Sequence, residues 1–221
     1  MRSIAWHNSR QPSPFVRWAQ QGIWWFFFLI CLLYSGYAFY MGAVEILLRL
    51  GIVAAAPHRS IGLIFVIHAL LGGMALLIAP LQLNRTLLQK QRRVHRILGR
   101  IYVVTIWLSS ASGLGLSIFF NVSIAARVVL GLLAILWFGI TTIGFVRARQ
   151  RRITEHREWM IRSFALSFFF VTFSFWVPGV ASSNVLDPIR YPLAVFLSWS
   201  LNLLVAEWWI RMTRTSVSNL P

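Results

Sequence analysis

Long uncharged, apolar intervals alternate with short arginine-rich segments along the chain. The uncharged intervals run over 18–44, 60–84, 101–126, 128–146, 163–186 and 191–206. A helix needs about 20 apolar residues to cross the roughly 30 Å of hydrocarbon in a bilayer. The pattern therefore predicts six transmembrane helices, with cores at 22–44, 61–81, 101–120, 125–146, 163–180 and 190–210.

The predicted fold class is all-α, a polytopic bundle of six membrane helices with a short polar segment at each end. Residues 1–21 are predicted to be a basic leader at the headgroup layer, where prolines interrupt a helix. Residues 22–210 form the transmembrane domain, with its core at 61–180, and residues 211–221 form a tail. The first apolar run is about twice as long as that of a signal peptide, so we expect a retained anchor.

Basic residues collect on one side of these predicted helices. Residues 1–21, 82–100, 147–162 and 211–221 hold 17 of the 21 Lys and Arg residues, and the opposite loops hold the other 4. The positive-inside rule predicts that the 17 face the cytoplasm, together with both termini. We expect these segments to contact anionic lipids of the cytoplasmic leaflet, at about 1 kcal/mol per residue near the surface.

Composition and charge exclude several classes of protein. A formal net charge of +16 accompanies 58% hydrophobic residues. A nucleic-acid-binding domain keeps its apolar fraction near roughly 45–50%, and a disordered chain has low hydrophobicity, so we predict no nucleic-acid partner. The acidic residues lie at helix ends or in a basic loop, which disfavours ion-coupled transporters, since these use carboxylates inside the membrane. Cys31 is the single cysteine, so no intrachain disulfide forms.

The histidines are the best candidates for chemistry. His68 lies inside the second predicted helix, where a polar ring needs a partner or a ligand. Two interpretations stay open: a hydrogen bond to a neighbouring helix, and a ligand role with a partner such as Met41. Small residues of the third helix, Ser109 and Gly113 among them, are predicted to make helix–helix contacts.

His95 and His156 occupy equivalent places in a weak internal repeat. Each follows an arginine-rich segment and opens the next helix, in His95-Arg96-Ile97-Leu98-Gly99-Arg100 and His156-Arg157-Glu158-Trp159-Met160-Ile161-Arg162. The central four helices are therefore predicted to form two similar hairpins, with both imidazoles at the same depth. Gln82, near the inner end of the second helix, is a further polar candidate at this depth.

Three kinds of site fit two facing histidines flanked by Arg96, Arg100, Arg157 and Arg162. The first is bis-imidazole ligation of haem b, with the arginines paired to its propionates. The second is an anionic lipid or a quinone headgroup. The third is structural, with the His-Arg motifs paired to Glu155 and Glu158 so that they lock the loops. Against haem, a two-haem membrane bundle has four core histidines, and His68 alone lies inside a helix here, too far along it to share an iron with the other two.

The residues that carry these motifs resemble a bacterial family of predicted membrane proteins, domain of unknown function 2306. The shared features lie within about 61–176: His68, the segment Pro80-x-Gln82, and the motifs His95-Arg96-x-x-Gly99-Arg100-x-Tyr102 and His156-Arg157-x-Trp159-Met160-x-Arg162. Ala79 stands where the family pattern has glycine. The resemblance implies a multi-pass protein of the bacterial inner membrane and names no reaction. A likeness to b-type cytochrome bundles is looser and covers only helices with paired histidines.

Three functions follow as hypotheses. The first is a small b-type cytochrome-like redox protein that binds haem b through His95 and His156. The second is a binding protein that holds an anionic lipid or a quinone without redox chemistry. The third is a non-enzymatic accessory subunit whose aromatic helix faces pack against a larger membrane complex. The sequence assigns no catalytic residue.

Overall fold

A computed structural model describes residues 14–52, 62–84, 89–119, 122–181 and 188–218 of the chain. Its helices are α1 (Pro14–Arg49), α2 (Leu63–Leu83), α3 (Arg92–Phe119), α4 (Ile124–Arg149), α5 (Ile153–Ser167), α6 (Phe169–Ala181) and α7 (Arg190–Ser218). Within these ranges there is no β-strand. The predicted leader and tail lie partly outside the described residues, at 1–13 and 219–221.

Six stretches of helix are long and apolar enough to cross a membrane. They are Gln21–Arg49, Leu63–Leu83, Arg92–Phe119, Ile124–Arg149, Ile153–Trp176 and Arg190–Arg214. The fifth stretch combines α5 with most of α6. The all-α class and the number of membrane helices predicted from the uncharged intervals are confirmed.

Three of the six membrane helices begin eight or more residues earlier than the apolar pattern predicts. α1 starts at Pro14 rather than 22, inside the predicted leader, where Pro14 is the first residue of the helix instead of an interruption. α3 starts at Arg92 rather than 101, and α5 starts at Ile153 rather than 163. An uncharged run marks only the part of a helix that enters hydrocarbon, and arginine and glutamate are good helix formers that continue the helix into the headgroup layer. The first turns of α3 and α5 contain His95 and His156. Each histidine is therefore on the same helix as the buried residues that follow it.

The fifth membrane helix is interrupted in its middle. α5 ends at Ser167, α6 begins at Phe169, and Phe168 is a turn residue. The Ser167 hydroxyl donates to the Ser163 carbonyl at 3.0 Å, and the Thr172 hydroxyl donates to the Phe168 carbonyl at 3.0 Å. Such side-chain bonds to the preceding turn compete with the backbone ladder and bend helices, which accounts for the break.

The central four helices form a ring. α2 packs on α3, α3 on α4 and α4 on α5, and contacts between α2 and α5 close the ring. Within the described ranges α3 and α5 have no close backbone contact, so they face each other diagonally across the ring. α1 packs outside α2, and α7 packs outside α5 and α6. The two predicted hairpins, α2–α3 and α4–α5, are therefore the core of the fold.

Helices that are neighbours in the chain run antiparallel. Trp24 near the start of α1 donates its indole N–H to the Pro80 carbonyl near the end of α2, at 3.2 Å. We call the end of the bundle at which α2 ends, α3 begins, α4 ends and α5 begins the arginine end. It is the end that the arginine count predicts to be cytoplasmic.

Small residues allow these helices to approach closely, as predicted. A Cβ atom at Gly113 would lie 2.9 Å from His68 Cε1, and one at Gly115 would lie 3.0 Å from Ile64 Cδ1, both across the α2–α3 contact. In a bilayer the association of helices depends on close packing and on polar contacts rather than on the hydrophobic effect. The glycines of α3 therefore hold α2 in its position.

Candidate functional site

His95 and His156 lie on the faces of α3 and α5 that are turned toward each other. Tyr102 follows His95 by seven residues, and Ser163 follows His156 by seven residues. Seven residues are nearly two helical turns, so each pair shares one helix face about 10 Å apart along the axis. The Tyr102 hydroxyl and the Ser163 hydroxyl are hydrogen-bonded at 3.0 Å across the ring. The two histidines thus form the next layer of the same contact, toward the arginine end.

His156 is held by the backbone of the preceding helix. Its Nδ1 atom donates to the Gly144 carbonyl of α4 at 2.8 Å. A Cβ atom at Gly144 would lie 2.9 Å from Met160 Sδ and 3.3 Å from Trp159 Cβ, so glycine allows α4 to approach α5 closely here. With Nδ1 carrying the proton, the neutral ring has its lone pair on Nε2.

His95 is held by Gln82 of the preceding helix. With the Gln82 amide nitrogen facing α3, it donates to the His95 carbonyl and to His95 Nδ1, each at 3.2 Å. In the same orientation the amide oxygen accepts from the Gly99 backbone N–H at 3.3 Å. Nδ1 is then an acceptor, so the neutral His95 ring carries its proton on Nε2.

The two histidines are therefore equivalent in position and opposite in tautomer. In each hairpin the histidine Nδ1 atom is held by the helix that precedes the histidine. The predicted repeat therefore includes the residues that hold the two histidines. His95 offers Nε2–H as a donor, and His156 offers the Nε2 lone pair as an acceptor.

A buried network of hydroxyl groups covers this pair on the side of the membrane interior. The Tyr102 hydroxyl bonds Ser163 and Ser167, each at 3.0 Å, and Tyr102 is only 1% exposed. Ser163 also bonds the Thr141 hydroxyl at 2.7 Å, and Ser167 accepts from the Trp137 indole N–H at 3.1 Å. The network joins α3, α4 and α5 and separates the histidine layer from the apolar core.

His68 belongs to a different layer of the bundle. Its Nδ1 atom donates to the Ser109 carbonyl at 2.8 Å, and the Ser109 hydroxyl donates to the His68 carbonyl at 3.1 Å. Ser109 is fourteen residues beyond His95 on α3, which is about 21 Å along the helix. Of the two interpretations of His68, the structure supports the hydrogen bond to a neighbouring helix, and the predicted separation of His68 from the other histidines is confirmed.

Arg96 and Arg100 point away from the histidine layer. Both are exposed, and together with Arg93 and Ile97 they line an open cleft of about 310 Å³. These four residues follow the i, i+3, i+4, i+7 spacing of one helix face, and that face lies roughly opposite to His95. Their nearness to His95 in the sequence does not bring them near it in space.

Arg157 and Arg162 also leave the site. Arg157 is exposed, whereas Arg162 forms a two-fold ion pair with Glu207 of α7, with Nη2 to Oε2 at 3.2 Å. The Arg162 guanidinium also lies 4.7 Å from the centre of the Trp159 ring. This arginine therefore attaches α7 to α5 and has no bond to either histidine.

Glu155 and Glu158 do not form the ion pairs with the His-Arg motifs that the structural alternative predicted. Glu155 pairs with Arg147 at 3.1 Å and with Arg152 at 3.6 Å. Glu158 is buried and pairs with Arg214 of α7. Neither acid is paired with the arginines of the His-Arg motifs.

Sequence reasoning also missed the hydroxyl network and the Gly144 carbonyl. The equal seven-residue spacing from each histidine to Tyr102 and Ser163 was a signal for the former, since it places both pairs on one face. A backbone carbonyl has no sequence signal.

The histidine layer fits a haem in part. Axial imidazoles use Nε2 and have Nδ1–H bound to a carbonyl or an amide oxygen, which His156 satisfies. His95 satisfies it only when Gln82 turns its amide oxygen toward Nδ1, because the amide nitrogen faces Nδ1 in the orientation that satisfies both ends of the amide. No arginine of the motifs is bonded to the imidazoles in the described part of the chain. Within the same ranges, no three His, Cys, Asp or Glu side chains group to hold a metal ion.

Comparison with known proteins gives one match. The model of a family described as predicted membrane protein, DUF2306, matches residues 65–210, which is more than half of the chain. No curated protein and no solved structure matches. The match includes α3, α4, α5 and nearly all of α2, and so contains the whole histidine layer.

Proposed function

The chain belongs to the DUF2306 family of membrane proteins, and we propose that it is a small membrane redox protein that binds haem b between His95 and His156. The observation that carries the proposal is the pair of imidazoles on diagonal helices, each with Nδ1 held by the preceding helix. Haem b, when bound, supplies reversible one-electron chemistry. The proposed location is the bacterial inner membrane, with the histidine layer near the cytoplasmic face.

The protein's own groups would orient and tune the site. The Gly144 carbonyl would fix the His156 ring through Nδ1 and leave Nε2 for the iron. Gln82 holds His95 through its amide nitrogen, and the reverse orientation, which an Nδ1–H donor would need, also turns the amide oxygen toward the His95 carbonyl. The Tyr102 network, one layer deeper, limits how far a cofactor enters the bundle. Propionates at the arginine end would meet solvent and the basic surface.

The test is an absorption spectrum of the protein purified from haem-replete cells. We expect a reduced-minus-oxidised haem signal from the wild type and its loss in His95→Ala and in His156→Ala. The matched control is His68→Gln, which removes a histidine about 20 Å away and should keep the signal. Gln82→Leu should keep the haem and shift its midpoint potential, because only the second contact of His95 is lost. A colourless wild-type preparation would refute the proposal.

One observation favours a second candidate, a quinone headgroup. The His95 Nε2–H donor and the His156 Nε2 acceptor suit a ligand that accepts at one oxygen and donates from another, as a quinol does. This function suits the Gln82 orientation that satisfies both ends of the amide, whereas haem needs the reverse. Colourless protein whose tryptophan fluorescence is quenched by added quinone in the wild type, and far less in His95→Phe, would favour it. If neither ligand binds, the accessory-subunit hypothesis is the one to pursue.

A further inference from the structure

The first two turns of α3 carry a row of arginines on the outside of the bundle. Arg93, Arg96, Ile97 and Arg100 line one open cleft of about 310 Å³. The cleft is open to the surroundings, and the four residues that line it all belong to this one helix. The cleft is independent of the histidine layer, because it lies on the opposite face of the same helix.

These three arginines lack the acidic partners that others in the protein have. In the described ranges no carboxylate forms an ion pair with Arg93, Arg96 or Arg100, whereas Arg162 and Arg214 each pair with a glutamate. Three guanidinium groups on one face repel one another, so the arrangement favours a bound anion. The planar guanidinium matches a phosphate group with two parallel hydrogen bonds.

The same face continues along α3 as an apolar stripe exposed to lipid. Ile97, Ile101, Val104 and Leu108 are 41–52% exposed and follow one another at steps of three or four residues. The stripe begins inside the arginine cleft, since Ile97 belongs to both. A ligand that joins a phosphate to hydrocarbon chains fits this continuity, whereas a free phosphate uses only the cleft.

We propose that Arg93, Arg96 and Arg100 form a specific site for an anionic phospholipid, whose phosphate lies in the cleft and whose acyl chains lie along Ile97, Ile101 and Val104. The headgroup is held near the start of α3, at the arginine end of the bundle. The site would fasten the inner end of α3 to the leaflet and is separate from the proposed haem site.

The test counts lipids retained by the purified protein, using native mass spectrometry with phosphatidylglycerol and phosphatidylcholine supplied in equal amounts. The wild type should prefer phosphatidylglycerol. The triple variant Arg93→Gln, Arg96→Gln, Arg100→Gln should lose on the order of 100-fold in this preference, equivalent to roughly 1 kcal/mol per arginine. Arg100→Gln alone should lose about fivefold, and it serves if the triple variant does not fold.

The matched control removes the same charge elsewhere at the arginine end. Arg149, Arg151 and Arg157 are exposed and, among the described residues, pair with no carboxylate, so their triple change to Gln removes only general surface attraction and should lower the preference far less. Equal losses in the two triple variants would overturn the proposal, because they would indicate bulk surface charge. Displacement of the lipid by millimolar inorganic phosphate would also overturn it, since the site would then recognise free phosphate. Retained haem signal in the Arg93/Arg96/Arg100 variant would keep the two proposals distinct.

Discussion

Replacement of Tyr102 by phenylalanine tests the central contact of the fold. The change removes one hydroxyl that bonds Ser163 and Ser167 and keeps the ring that fills the core. Because the ring stays, no cavity opens, and the loss of about 3–5 kcal/mol expected for truncation of a buried aromatic residue to alanine does not apply. The cost is therefore that of the two hydrogen bonds.

The stability cost of Tyr102→Phe depends on the hydrogen bonds that Ser163 and Ser167 keep in the variant. Ser163 keeps its bond to Thr141, and Ser167 keeps its bonds to Trp137 and to the Ser163 carbonyl, so no buried hydroxyl is left without a partner. Side-chain hydrogen bonds between membrane helices contribute about 0.6 kcal/mol each on average. We therefore expect Tyr102→Phe to lower the free energy of unfolding by about 1–1.5 kcal/mol.

The assay is reversible unfolding in mixed micelles with increasing sodium dodecyl sulfate, followed by circular dichroism. Tyr40→Phe is the matched control, because Tyr40 is 64% exposed on α1 and should change stability by less than about 0.5 kcal/mol. Combining Tyr102→Phe with Ser163→Ala should cost less than the sum of the single changes, since both act on one network. Equal unfolding curves for Tyr102→Phe and Tyr40→Phe would refute the reasoning.

Two further predictions concern the packing and the orientation of the helices. Gly113→Ala should be less stable than Gly139→Ala by about 1–3 kcal/mol in the same assay. The new methyl group at position 113 would lie 2.9 Å from His68 Cε1, whereas one at position 139 would have nothing within 4 Å. Equal stability of the two variants would contradict the α2–α3 packing. Single cysteines at Arg92 and Arg151 should react with a membrane-impermeant maleimide from the same side, and a cysteine at Leu50 from the opposite side. Cys31 is fully buried and gives a low background, and labelling of the first two positions from opposite sides would disprove the pairing of the histidines.

The sequence determined the number of membrane spans, and it placed His95 and His156 at equivalent positions of two similar hairpins. An uncharged run of membrane-spanning length forms a helix in lipid, because a helix makes all of its backbone hydrogen bonds within the segment. Six spans were therefore predictable. The repeated His-Arg motif placed His95 and His156 at one depth, because both follow a turn on the same side. The first residue of each helix was less predictable, because arginines continue a helix beyond the hydrocarbon, where the apolar pattern gives no signal.

Only the tertiary structure decided which side chains share a site. Adjacent residues on a helix point about 100° apart, so Arg96 leaves the face that His95 occupies, and the rotation of α3 about its axis decides which of them faces the ring. Partners from distant segments, such as Glu207 for Arg162, depend on where α7 packs against α5. The Gly144 carbonyl that orients His156 belongs to the backbone, which carries no residue-specific signal. The composition along the chain determines how deep a residue lies in the membrane, whereas packing between helices determines which way its side chain points.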